Sequence, residues 1–333
     1  MANRDIINHI SKPVLLDVTL RDGGYLNNWN FSLQHIEAAI IAASGLGADI
    51  IEVGYLDDHP GLPLTASCPP SFLLEIEQLS GNSLIAGMMR PSVNNPQLVL
   101  KRRVEILDLI RIPVDLKNTG PANYISLLCA ENEVPFSFNL TSVSCYSLSE
   151  IEEVVKSLNK NASMIYIADS RGALHPEDVS SIVKAIKNQW SGAVGYHAHN
   201  NLGLAKKNTE AALHSGCVLI DGSVSGIGLG GRNLQLKIAA DIARTYRDDL
   251  PDYDSEYDVS EKVLGVAEPG EDKHVYHLSG EKNIKMEWVQ LFIEQLGISR
   301  TTEVLKKIPR CSLFHHSELK PYVEKKYWDL LEW

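Results

Sequence analysis

Two histidines and an aspartate are the residues best placed to do chemistry together. In His197-Ala-His199-Asn200 the imidazoles are spaced i, i+2. On a strand that spacing sends both rings to one side, where they can hold a divalent cation. Asp22, in Asp17-Val-Thr19-Leu-Arg21-Asp22-Gly23-Gly24, offers an oxygen that would complete a three-residue facial set. Nitrogen and oxygen ligands without thiolate suit Mn²⁺, Mg²⁺, Co²⁺ or Zn²⁺, with open positions for substrate oxygens. A lone His-x-His is more often packing or surface. The acidic turn expected in the same layer is what tips the reading toward a metal.

These motifs need a scaffold that brings distant segments to one place. Apolar, β-rich runs recur at Val14–Val18, Asp49–Gly54, Ser83–Met89, Ile106–Ile112, Pro135–Leu140, Met164–Ala168, Ala193–His197 and Val218–Ser223. They are continuous rather than alternating, as expected of strands covered on both faces. Helical patterns lie between them, at Leu33–Ser44 after the cap Ser32, Glu150–Asn159 after Ser149, Val179–Trp190 after Pro176, Leu204–Ser215 and Leu234–Tyr246. Eight such units predict a closed (β/α)8 barrel over residues 1–250. Residues 251–333 then form a C-terminal helical subdomain. It comprises an acidic connector Asp252–Glu261, helices at Met286–Leu296 and Thr301–Lys307, and the aromatics Tyr322, Tyr327, Trp328 and Trp333. Those aromatics serve either packing or a partner surface.

Barrel enzymes take their catalytic residues from the C-terminal ends of strands. Asp22 follows strand one, His197 and His199 end strand seven, and the glycine-rich loop Gly226-Ile-Gly228-Leu-Gly230-Gly231-Arg232-Asn233 follows strand eight. Glu52, Arg90, Arg111, Asn139 and Asp169 end strands two to six. Of these, Glu52, Arg90, Asn139 and Asp169 are candidate substrate contacts. Arg90 and Arg111 can each grip a carboxylate bidentately, but for Arg111 an interior ion pair with Glu52 or Asp169 is the preferred reading. No expected strand interior carries a lysine, which argues against imine chemistry.

Composition sets the outer limits. With 31 Lys+Arg against 42 Asp+Glu the net charge is −11, which disfavours a nucleic-acid binder. Hydrophobic residues make up 44 % and charged residues 22 %, an ordinary globular balance. No apolar run approaches a membrane span, and Met1–Lys12 lacks a signal-peptide core. Five scattered cysteines without C-x-x-C are expected as reduced thiols in a cytoplasmic protein.

Taken together, Asp17-x-Thr19-Leu20-Arg21-Asp22-Gly23, His197-x-His199-Asn200 and Gly226-x-Gly228 to Asn233 resemble the DRE-TIM metallolyase (HMG-CoA lyase-like) superfamily. The V-T-L-R-D-G stretch is nearest its 4-hydroxy-2-oxovalerate aldolase branch. The resemblance covers the expected barrel. It implies that Asp22, His197 and His199 bind the metal, Mn²⁺ or Mg²⁺ first and Co²⁺ or Zn²⁺ next. It implies that Arg21 stabilises an enolate and that Asn233 is a metal ligand or supports one. A cation and a guanidinium stabilise an enolate oxygen more than the ketone it came from.

Two positions depart from the pattern. Tyr25 stands where the aldolase branch has a histidine base, and a phenol is a poorer base at neutral pH; it remains a candidate catalytic residue. Arg232 stands where small residues are usual and could read a second anionic group; a surface arginine is the competing reading. The expected activity is metal-dependent cleavage or formation of a C–C bond in a small 4-hydroxy-2-oxo acid through a pyruvate enolate. A Claisen-type acyl-CoA condensation or an HMG-CoA lyase-like cleavage is the alternative, and a non-catalytic barrel a further one. A homo-oligomer, and a dehydrogenase docked through the C-terminal subdomain, are the partners that the resemblance leaves open.

Overall fold

The apolar runs become eight parallel strands closed in sequence order, with β8 hydrogen-bonded back to β1. The computed structural model describes residues 12–252, 262, 264, 270 and 272–331. The strands are β1 Val14–Asp17, β2 Ile50–Tyr55, β3 Leu84–Met88, β4 Leu109–Val114, β5 Phe136–Leu140, β6 Met164–Asp169, β7 Ala193–Ala198 and β8 Leu219–Gly222. Around them lie α1 Leu33–Gly45, α2 Pro70–Leu79, α3 Pro96–Lys101, α4 Gly120–Glu131, α5 Leu148–Ser157, α6 Pro176–Gln189, α7 Ala205–His214 and α8 Leu236–Arg244. The architecture is the expected (β/α)8 barrel.

Side-chain alternation explains why the runs are apolar throughout. Leu16, Ile50, Leu84, Leu109, Met164 and Leu219 meet inside the barrel, while their neighbours Leu15, Ile51, Ile85, Ile110, Ile165 and Ile220 pack under the helices. Residues two further along a strand point inward again. That parity delivers Glu52, Arg111 and Asp221 from the apolar floor of Ile50, Leu109 and Leu219 to a polar layer above it. Gly195 makes room for the Tyr166 ring in that interior, because a Cβ there would stand 2.5 Å from it.

Local signals place the helices with small corrections. Ser32 Oγ accepts from the His35 amide and starts α1 as expected. Helix α5 starts earlier than expected. Ser147, not Ser149, is its cap, in a reciprocal box with Glu150. Strand β4 begins three residues late, since Val104, Ile106 and Leu107 donate backwards to Leu100 and Arg103 in turns and cannot pair.

The chain after the barrel forms α9 Lys273–Lys282, α10 Met286–Leu296 and α11 Ile298–Lys307 around a separate apolar cluster. Tyr322, Tyr327 and Trp328 pack against that cluster, and Trp328 Nε1 donates to Val323 O at 3.0 Å. The cluster sits on the mouth of the barrel. Arg171, after β6, donates Nη1 to Asn283 O at 2.6 Å and Nη2 to Leu313 O at 2.5 Å. Arg310 Nη2 reaches Ala173 O at 3.0 Å, and Asn201 Nδ2 reaches Ser279 Oγ at 3.1 Å. At Gly280 a Cβ would stand 2.8 Å from Gly172 O, so the close approach needs glycine.

All five cysteines are free, and burial pushes the Cys129 and Cys217 thiols up to about 12. No helix among the described residues is long and apolar enough to cross a membrane. The acidic connector beyond Asp252, Trp333 and residues 1–11 lie outside the described residues.

Candidate active site

At the mouth of the barrel His197 and His199 present their Nε2 atoms to each other at 3.3 Å, and His199 Nε2 lies 3.9 Å from Asp22 Oδ2. One donor atom from each of Asp22, His197 and His199 falls within 4.8 Å of the others, and all three residues are buried. Two imidazole nitrogens facing each other at this distance share either a proton or a cation. His197 Nδ1 lies 3.1 Å from Asp221 Oδ2. A proton held on Nδ1 by that carboxylate leaves the Nε2 lone pair pointing inward. Burial drives the His199 imidazole down to about 3, so it is neutral and ligand-ready at pH 7. Burial alone would raise Asp22, but Arg21, His199 and His197 hold it well below the usual carboxylate range.

Asn233 is joined to this set from the loop after β8. Its Nδ2 donates to Asp22 Oδ2 at 2.7 Å and to Ile227 O at 3.1 Å, while its buried Oδ1 has no hydrogen-bond partner. An isolated bridge between His199 and Asn233 ties the two loops together. The donor set fits a divalent cation: neutral nitrogens, a carboxylate, and an unsatisfied amide oxygen beside it.

Below the triad runs a chain of buried charges. Arg21 Nε donates to Glu52 Oε2 at 2.8 Å and its Nη1 contacts Asp22 Oδ1. Arg111 donates to the same Glu52 oxygen and to Asp221 Oδ2, each at 2.8 Å. Its guanidinium lies 4.2 Å from the Tyr166 ring centroid. Against burial, Arg111 and His197 keep Asp221 below the usual carboxylate range. Two guanidinium groups therefore face three carboxylates, leaving one buried negative charge. A divalent cation with one chelated anion would neutralise it.

On the other side stands an aromatic wall. Tyr25 and Tyr55 share a hydroxyl–hydroxyl hydrogen bond of 2.9 Å. Trp29 packs edgewise on both rings and donates Nε1 to Arg21 O at 2.9 Å. Burial and Tyr55 push the Tyr25 phenol far above neutral pH, so it is a donor and not a base. Arg90 lies over Tyr55, 3.4 Å from the ring centroid.

A cavity of about 650 Å³ connects these groups. Arg21, Asp22, Tyr25, Arg90, Asn139, His197 and His199 line it. Asn139, oriented by its neighbours, donates to Ser137 Oγ at 2.9 Å and accepts from Arg111 Nη2 at 2.8 Å.

Three residues expected at the substrate lie elsewhere among the described residues. Glu52 is fully buried and bridges Arg21 to Arg111. Asp169 accepts from the Ala173 and Leu174 amides at 3.0 and 3.3 Å and shapes the turn after β6. Arg232 lies outside the cavity lining and donates to Ser225 O at 3.3 Å. Arg111 makes the expected interior pair, with Glu52 and with Asp221 in place of Asp169.

Sequence reasoning missed Asp221, a lone acid in an apolar strand, although an acid two residues after inward Leu219 must point into the barrel. It also missed Lys285, Glu287 and Trp288, which the C-terminal helices bring to the cavity.

The HMGL-like family model matches residues 123–261. Over 235 residues the chain is 29 % identical to 4-hydroxy-2-oxovalerate aldolase of Chloroflexus aurantiacus, covering 69 % of this chain and 68 % of that one. It is 29 % identical to the enzyme of that name from Thermus thermophilus over 69 % of this chain and 68 % of that one. The family-model match and these relatives support the HMGL-like, DRE-TIM superfamily for this chain. Its 4-hydroxy-2-oxovalerate aldolase branch is the one this HMGL-like chain resembles. The N-terminal domain of a putative aldolase from Bacteroides vulgatus superposes with a TM-score of 0.72 at 26 % identity, over 84 % of this chain and 96 % of that one. The carboxyl transferase domain of Rhizobium etli pyruvate carboxylase has the same fold, with a TM-score of 0.66 at 16 % identity over 91 % of this HMGL-like chain and 56 % of that one.

Proposed function

We propose that this carbon–carbon lyase cleaves a 4-hydroxy-2-oxo acid to pyruvate and an aldehyde, or runs the reverse condensation. The observation that carries the reading is the convergence of Asp22, His197 and His199 beside Arg21 at the base of the cavity. Those three residues, with Asn233 at their edge, would hold Mn²⁺ or Mg²⁺. Such a cation would polarise the 2-oxo group and fix the acid through its carboxylate.

The chain's own residues do the rest. Arg21 is held by Glu52 and aimed by the short helix Thr19–Gly23. Its guanidinium faces the cavity and stabilises the oxygen that gains charge as the enolate forms. In cleavage the 4-hydroxyl gives up its proton to water in the cavity, its oxygen becomes the aldehyde carbonyl as the C3–C4 bond breaks, and the electron pair of that bond becomes the enolate of pyruvate. The enolate then takes a proton from water at C3. The Tyr25–Tyr55 hydroxyl pair lines the same cavity and can hold the oxygen that loses its proton. Asp221 keeps His197 in the ligating tautomer, so it is a positioning residue.

The test is release of pyruvate from a panel of 4-hydroxy-2-oxo acids by the purified chain with Mn²⁺, coupled to lactate dehydrogenase. Pyruvate should appear from at least one. If none is cleaved while an acyl-CoA is, the Claisen reading replaces this one.

A further inference from the structure

The cavity is larger than pyruvate and a two- or three-carbon aldehyde require, since about 650 Å³ is a volume that takes drug-sized ligands. Its charges are unevenly placed. Away from the metal triad and Arg21, the lining carries Arg90, Lys117, Arg171 and Lys285 against Asp115 and Glu287. Lys285 is paired with Glu287 at 3.2 Å. Arg90 is not neutralised, for no carboxylate among the described residues lies within ion-pair distance of it.

Arg90 is also pre-oriented. Its guanidinium lies 3.4 Å from the Tyr55 centroid and 5.3 Å from that of Trp29. Trp29 takes a positive φ of 60° to put its ring there, against Gly24, where a Cβ would stand 2.1 Å from the indole. A tryptophan in that region carries strain that the surrounding packing must hold. Stacking fixes the plane of the guanidinium, which also faces the Tyr55 and Tyr25 hydroxyls; its remaining N–H groups can bind a planar or tetrahedral anion. Tyr55 links Arg90 to the Tyr25 hydroxyl, so the cation stands one aromatic residue away from the reacting centre.

We infer that the aldehyde half of the substrate carries an anionic group, a carboxylate or a phosphate, and that Arg90 receives it and sets this specificity. The inference rests on the aldolase reading and names its substrate class.

The experiment compares kcat/KM for neutral aldehydes (acetaldehyde, propanal) with succinic semialdehyde and glyceraldehyde 3-phosphate, each condensed with pyruvate and Mn²⁺. At least one anionic aldehyde should be preferred roughly 10- to 100-fold, and Arg90→Gln should erase that preference, with Arg90→Lys recovering part of it. The two anionic arms distinguish carboxylate from phosphate. Equal use of neutral and anionic aldehydes would overturn the proposal. So would an Arg90→Gln loss that is the same for both classes or that appears in the KM for pyruvate. Deuterium exchange into pyruvate without aldehyde, in the same samples, tells failure of the aldolase reading from failure of this one. Calorimetry with glycerol 3-phosphate and 4-hydroxybutyrate tests the anion site directly: one should bind the Mn²⁺-loaded wild type and lose affinity in Arg90→Gln. Binding of neither, or binding unchanged in the variant, would refute it.

Discussion

Asp221 Oδ2 stands between His197 Nδ1, at 3.1 Å, and Arg111 Nη2, at 2.8 Å. One carboxylate oxygen thus fixes a candidate metal ligand and closes the buried charge chain that runs through Arg111 and Glu52 to Arg21.

Asp221→Asn should weaken metal binding about 10- to 100-fold, because the amide can no longer enforce the Nδ1–H tautomer. Titration of the apo protein with Mn²⁺ reads this directly. An unchanged affinity would mean that the ring of His197 is held by packing alone.

Arg21→Ala should lower kcat by on the order of 10²-fold or more while metal stays bound. Glu52→Gln should reproduce part of that loss, since Glu52 aims the guanidinium without lining the cavity. Steady-state rates alongside metal analysis separate the two effects, and a near-wild-type Arg21→Ala would remove Arg21 from the chemistry.

Burial raises Asp17 to about 7, against the opposing hydrogen bonds from Thr19. A raised acid binds its proton more tightly in the folded state, so its contribution is present below its ordinary value near 3.8 and is lost as pH rises to about 7. Asp17→Asn should therefore flatten the fall in Tm of the metal-free protein across that window. Parallel slopes for the two proteins would contradict it.

Arg171→Ala removes two hydrogen bonds from the barrel to the C-terminal helices. Stability should fall by on the order of 2 kcal/mol, and limited proteolysis should release the C-terminal helices sooner. Resistance equal to wild type would show that the apolar cluster holds them unaided.

Much of this arrangement was legible from the residues. Strands covered on both faces read as apolar runs, so all eight appeared, and parity then placed His197 and His199 together. The cap of α5 was legible too, since Ser147-Leu-Ser-Glu150 is a capping box, but the nearer Ser149 obscured it. Glu52 and Asp169 end their strands as expected, yet their roles depend on which cation or amide lies opposite. Arg111's choice of Asp221 over Asp169 is such a tertiary fact. So is the arrival of Lys285 and Glu287, which depends on how the C-terminal helices dock and leaves no periodic signal at those positions.

A pyruvate enolate is proposed to form beside Asp22, His197 and His199. Methyl-proton exchange of pyruvate in deuterated water, followed by NMR with and without Mn²⁺, tests it most directly. Exchange should require the metal and disappear when His197→Ala and His199→Ala are combined. Exchange that persists after chelation or in the double variant, or its absence from the metal-loaded wild type, would contradict the account.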